Sequence, residues 1–66
     1  MFVEFKHPQG HRYVLNTDHV LVAEADKSLV GITNIQFFNG MVAQALGTLK
    51  EVKDALVLGL PISEIK

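Results

Sequence analysis

There is no cysteine anywhere in the 66 residues, so neither a disulfide framework nor a zinc site built on thiolates can hold this short chain together. An excess of charge of one sign is missing too. Six basic residues face seven acidic ones, for a formal net charge of -1, which is not the electrostatic footprint of a phosphate-neutralising protein. The longest apolar runs are a few residues, against the roughly 20 that a membrane-crossing helix needs. The opening MFVEFKHPQ has neither the early positive cluster nor the apolar stretch of a secretory signal. The expectation is a soluble, cytoplasmic protein without a membrane span. Glycines stand as punctuation at 10, 31, 40, 47 and 59 rather than gathering in a phosphate loop. No repeats, low-complexity tracts or linkers interrupt the chain, so residues 1–66 read as one small domain.

What is present in quantity is apolar side chain, 48% of the sequence. A domain this short buries only roughly 60% of its unfolded surface, so part of that apolar content has no interior to enter and needs cover from outside. Self-association as a dimer or larger homo-oligomer is the economical answer, with an unknown protein partner as the other.

Along the chain, Phe2 to Lys6 alternates with Val3 and Phe5 on one face, as a half-buried strand does. His7-Pro8-Gln9-Gly10 ends it, Pro8 suiting the second position of a turn and Gly10 the positive φ of a bulged or looped hairpin. His11 to Leu15 is the second strand, with Tyr13 and Leu15 opposite Arg12 and Val14. Asn16-Thr17-Asp18 is the next turn, read here as the pivot of a hairpin whose other arm is His19 to Ala25. After Asp26-Lys27-Ser28, the segment Leu29 to Phe38 reads as a strongly coiled strand, or two short ones, bent at Gly31. Asn39-Gly40 matches a type I′ hairpin, returning through a last strand at Met41 to Leu46. Thr48 and Glu51 have capping-box spacing, so a helix is expected over about 48–59. Leu49, Val52 and Leu56 share its apolar face, and Gly59 and Pro61 stop it. The tail 61–66 reads as a short exchanged arm or a frayed end. The fold class is thus α+β, mainly β: a strongly bent antiparallel meander of four to five strands, a small barrel-like sheet, with one C-terminal helix.

The run Gly10, Tyr13-Val14-Leu15-Asn16, Asp18 and Val20, followed by Asn39-Gly40 and then Thr48 with Glu51-Val52, resembles the short bacterial FlbD-like proteins associated with flagellar function and swarming motility. The likeness spans about Gly10 to Val52 and is in register except in the middle. Between Asp18 and Gly40 this chain is a few residues longer, and Gly47 stands where an acidic residue commonly precedes the cap. The Phe near the start and the Asn16-Thr17-Asp18 pivot also resemble a looser class of small bacterial or phage-borne β-meander proteins. The resemblance implies a motility setting and no catalytic residues.

Three histidines invite a metal reading, but His7 and His11 flank one turn while His19 follows the next, leaving a pair without its third ligand. Glu4, Asp18, Glu24 and Asp26 have no paired-carboxylate spacing, and Ser28 and Ser63 have no His or Asp set around them. No catalytic residue, cofactor or metal is expected. The candidate interface is the apolar helix end, Leu56, Val57, Leu58 and Leu60, together with Phe37, Phe38 and Met41. Gly10, Asn16, Asp18, Asn39, Gly40, Thr48 and Glu51 are assigned to turns and the cap. The expected function is a non-enzymatic protein-protein interaction or assembly module. The alternative is a small oligomeric β-barrel that regulates by binding nucleic acid through Lys6, Arg12 and Tyr13. A third is a small-ligand binder in a cleft between sheet and helix.

Overall fold

The computed structural model describes residues 1–58. Five strands precede one helix: β1 (Phe2–Lys6), β2 (Arg12–Asn16), β3 (Val20–Ala25), β4 (Ile32–Phe37), β5 (Val42–Leu46) and α1 (Leu49–Leu58). The mainly β class with a C-terminal helix is as expected. The sheet is not continuous, however, and it does not close into a barrel. β1 and β2 form a two-stranded sheet, β3, β4 and β5 a three-stranded one, and every pairing is antiparallel.

The break falls at the expected pivot. Asn16-Thr17-Asp18 does not turn a hairpin, because β2 pairs only with β1 and β3 only with β4 among the described strands. Tight hairpin turns call for positive φ, and among the described residues none other than glycine adopts it. Without a glycine, the segment instead forms a single 3-10 turn, Thr17–His19, flanked by the extended residues Asn16 and Val20. Asn16 Oδ1 accepts from the Asp18 amide at 3.0 Å, and the Thr17 amide donates to the Met1 carbonyl at 2.8 Å. The result is a corner that carries the chain from one sheet to the other.

The two three-residue hairpin turns share one design. In the first, the His7 amide donates to His11 O at 2.7 Å and the Gly10 amide to His7 O at 2.8 Å; in the second, Phe37 donates to Met41 O at 2.9 Å and Gly40 to Phe37 O at 3.0 Å. Each is a three-residue loop ending on a glycine with positive φ, +108° at Gly10 and +87° at Gly40. The type I′ expectation at Asn39-Gly40 is therefore corrected: Asn39 keeps a negative φ, and its side chain accepts from the Met41 amide at 3.0 Å. The segment from Leu29 to Phe38, expected as a strongly coiled strand or two short ones, holds a single shorter strand, since β4 begins at Ile32 and leaves Leu29 and Val30 in an exposed loop.

Alternation decides which side chains enter the core. Val3 and Phe5 from β1 and Leu15 from β2 meet Ile35, Ala45, Val52 and Ala55 in one cluster joining both sheets and the helix. β1 lies beside β5, and α1 packs on β3 and β4. In β3 the register slips between Val20 and Val22, so Leu21 is an extra residue and Val20 and Ala23 both pack against the core. The capping box forms as expected, with the Thr48 amide donating to Glu51 Oε1 at 2.9 Å and the Glu51 amide to Thr48 Oγ1 at 3.2 Å. The buried helix positions are Val52 and Ala55, with Leu56 packed against them. Leu49, assigned to this face by spacing, is 40% exposed, because it occupies the first turn before the helix settles on the sheet. Gly59 and Pro61, expected to stop the helix, and the tail 61–66 lie outside the described residues.

Candidate functional site

Two concavities are lined by the described residues. The first, of about 630 Å³, is lined by His7, His11, Tyr13, Asn34, Val42, Ala43 and Gln44. Its histidines close the first hairpin loop, and their rings stack with centroids 4.4 Å apart. His7 Nδ1 accepts from the Gln9 amide at 3.1 Å; the neutral ring then carries its hydrogen on Nε2 and offers no free lone pair to a cation. Among the described residues no three His, Cys, Asp or Glu gather as a metal set. The Tyr13 hydroxyl is likewise engaged, donating to Gln44 O at 2.8 Å and so tying β2 to β5; burial pushes its pKa up to about 12. The Asn34 amide donates to Asp26 Oδ2 at 3.2 Å. Asp26 is held below its ordinary pKa by the amides of Ser28 and Leu29, then by Asn34. The polar groups of this hollow thus largely serve the fold.

The second concavity, of about 540 Å³, is different in kind. The apex of the β4–β5 hairpin supplies Phe37, Phe38, Asn39 and Met41, while the end of β2 and the corner supply Val14, Leu15, Asn16 and His19. Phe37 leans into the core and Leu15 forms the buried floor. Phe38, Met41 and Val14 stand out from it, 67%, 65% and 61% exposed. Three aliphatic or aromatic groups at that exposure around one groove give it an apolar rim, and its lining contains no Lys, Arg, Asp or Glu.

Of the residues expected at an interface, Phe37, Phe38 and Met41 come together at this groove. Val57 and Leu58 are exposed at the helix end but do not line it, Leu56 is half-buried against the core, and Leu60 lies outside the described residues. Val14 was the wall that the interface assignment missed; its signal was an apolar residue on the outward-facing side of β2. Gly10 and Gly40 end the two three-residue loops, Asn39 accepts from the Met41 amide, and Thr48 and Glu51 cap the helix, whereas Asn16 and Asp18 lie at the 3-10 corner and not in a hairpin turn. The basic and aromatic groups proposed to meet nucleic acid are not on one surface. Lys6 and Arg12 pair across the outer face of the two-stranded sheet, whereas Tyr13 faces inward, 6.3 Å from Phe5 between ring centroids. Arg12 also lies 3.7 Å from Glu4. No helix among the described residues is long and apolar enough to cross a membrane. Comparison of the chain with protein-family models, curated proteins and solved structures finds no match.

Proposed function

We propose that this chain is a non-enzymatic interaction or assembly module that presents the Phe38 groove to a protein partner. The observation that carries this reading is Phe38 itself, an aromatic side chain 67% exposed at the second position of a tight turn. Turns favour Gly, Pro, Asn, Asp and Ser for backbone reasons, and none of those reasons asks for a phenyl ring. Aromatic side chains contribute large contact areas to interfaces and are enriched there. The groove beside it has apolar walls and no Lys, Arg, Asp or Glu in its lining, which suits burial of apolar surface more than recognition of an ionic ligand. The resemblance to FlbD-like proteins adds motility as the cellular setting of this assembly.

Solution mass by light scattering, read together with binding of an apolar fluorescent dye, tests the proposal. A mass above one chain, or a monomer that binds the dye and loses it on Phe38→Glu, is the expected result. A monomer at all concentrations that binds no dye would sink the interaction reading.

A further inference from the structure

We infer that the second hairpin turn is a site of self-modification, where the Gly40 nitrogen attacks the Asn39 side chain and the folded chain converts Asn39 to aspartate and isoaspartate without an enzyme. The inference concerns the turn itself and holds whatever the Phe38 groove binds. Deamidation needs a side-chain carbonyl held near the next backbone nitrogen, a donor for the negative charge that develops on its oxygen, and an unhindered nucleophile. Asn39 has all of these. Its Oδ1 accepts from the Met41 amide at 3.0 Å, which folds the side chain back along the Asn39–Gly40 peptide and sets a donor at the oxygen that becomes the oxyanion. Gly40 has no Cβ to crowd the attack, and both residues are exposed to the water that takes part. The bond that opposes reaction runs from the Gly40 amide to Phe37 O at 3.0 Å; it lies at a hairpin apex, where local opening costs little.

The step balances without oxidation or reduction. Hydroxide takes the Gly40 amide proton, the nitrogen lone pair forms a bond to Asn39 Cγ, and the Cγ–Nδ2 bond breaks as Nδ2 leaves, protonated by water, as ammonia. Water then opens the cyclic imide at either carbonyl. One product is aspartate; the other keeps the bond from Cγ to the Gly40 nitrogen, so the main chain of the loop gains a methylene. In both, a carboxylate stands where the groove lining had a neutral amide. The other two asparagines show what the reaction requires. Asn16 has the same side-chain bond, Oδ1 accepting from the Asp18 amide at 3.0 Å, but the attacking nitrogen there belongs to Thr17, which is β-branched and donates to Met1 O at 2.8 Å. Asn34 sits within β4, its Nδ2 donating to Asp26 Oδ2 at 3.2 Å and its successor Ile35 fully buried. The order of reactivity is therefore Asn39, Asn16, Asn34.

The test incubates the full chain at mildly alkaline pH and follows each asparagine by mass spectrometry of proteolytic fragments, where conversion adds about 1 Da, with enzymatic methylation to count isoaspartate. Asn39 is expected to convert at least about tenfold faster than Asn16, a barrier difference of about 1.4 kcal/mol. Asn39→Gln removes the fast phase. Thr17→Gly, with its fold checked by circular dichroism, keeps the side-chain bond of Asn16 and frees the nucleophile, so it speeds conversion of Asn16 by about tenfold. Urea below the unfolding transition leaves the Asn39 rate unchanged, because opening one turn exposes little surface. A rate that climbs with urea in step with the unfolded population assigns the reaction to the unfolded chain and overturns the inference. An Asn39 no faster than Asn34 overturns it as well, and a folded Thr17→Gly chain whose Asn16 stays as slow as Asn34 overturns the geometric argument beneath it.

Discussion

The two hairpin turns, His7–Gly10 and Phe37–Gly40, have the same hydrogen bonds and the same glycine conformation but different side chains at the apex. The first places Pro8 where the second places Phe38. Part of that difference is backbone chemistry: the Phe38 amide donates to His19 O at 3.1 Å, a bond joining the hairpin to the 3-10 corner, and proline has no N–H to give. Proline is thereby excluded from the second turn, yet polar residues are not. Comparing two loops of the same form separates what the turn requires, a glycine at its end, from what it merely carries, an exposed phenyl ring.

The largest expected effect tests whether the two hairpins share one core. Phe5, 1% exposed, is the first hairpin's largest contribution to that core, and Phe5→Ala should cost about 3–5 kcal/mol, comparable with the roughly 3–10 kcal/mol that a chain this long possesses in total. Hydrogen exchange should show β1 and β4 amides losing protection together; β4 protection that outlasts β1 would mean two separately stable sheets. Next come Gly10→Ala and Gly40→Ala. A Cβ at either position meets nothing within 4 Å, so each should lose about 1–2 kcal/mol from backbone strain alone, and the two losses in urea unfolding should be equal. Unequal losses would show that the turns differ in backbone as well as in side chain.

Tyr13→Phe removes the hydroxyl bond between the hairpins and should cost about 1 kcal/mol at neutral pH. The native protein should also have an alkaline limit. An unfolded phenol ionises near pH 10, whereas burial pushes Tyr13 up to about 12; its contribution is complete below about pH 10 and is lost as pH rises through about 12. Because Tyr13 is the sole tyrosine and there is no tryptophan, phenolate absorbance reports this group alone, and Tyr13→Phe should flatten stability over that window. The smallest effect on stability belongs to Phe38→Gln, within about 0.5 kcal/mol as for other exposed positions. A large destabilisation there would mean that the ring supports the turn after all.

The strand faces were legible because alternation at Val3 and Phe5 and at Tyr13 and Leu15 survives into the structure unchanged. The helix start was legible because Thr48 and Glu51 satisfy each other's amides locally. The corner was not: Asn16, Thr17 and Asp18 are turn formers in a hairpin and in a 3-10 turn alike, and the decisive clue was the glycine they lack. The bulge at Leu21 was hidden because both faces of β3 are apolar, so a slip of one residue leaves no mark in the pattern. At the candidate site, Phe38 and Met41 stood out as apolar residues around a turn. Leu56 did not belong with them: it lies four residues beyond Val52, on the same side of the helix, and follows it inward. Val14 was legible as outward-facing but not as a groove wall, since its neighbours there come from 23 to 27 positions later in the sequence.

The glycine-free corner also bears on how quickly the molecule can form. By ending one sheet and beginning the next, it leaves each described strand paired in its sheet only with the strand directly before or after it. Each pairing closes a short loop, so the entropy lost before the first contacts form is small, unlike that of a β fold built on distant pairings. Relative contact order is therefore set mainly by the docking of Val3, Phe5 and Leu15 onto Ile35 and the helix. The expected rate-limiting event is then the meeting of the two-stranded and three-stranded sheets, with the corner as the tether that sets their local concentration.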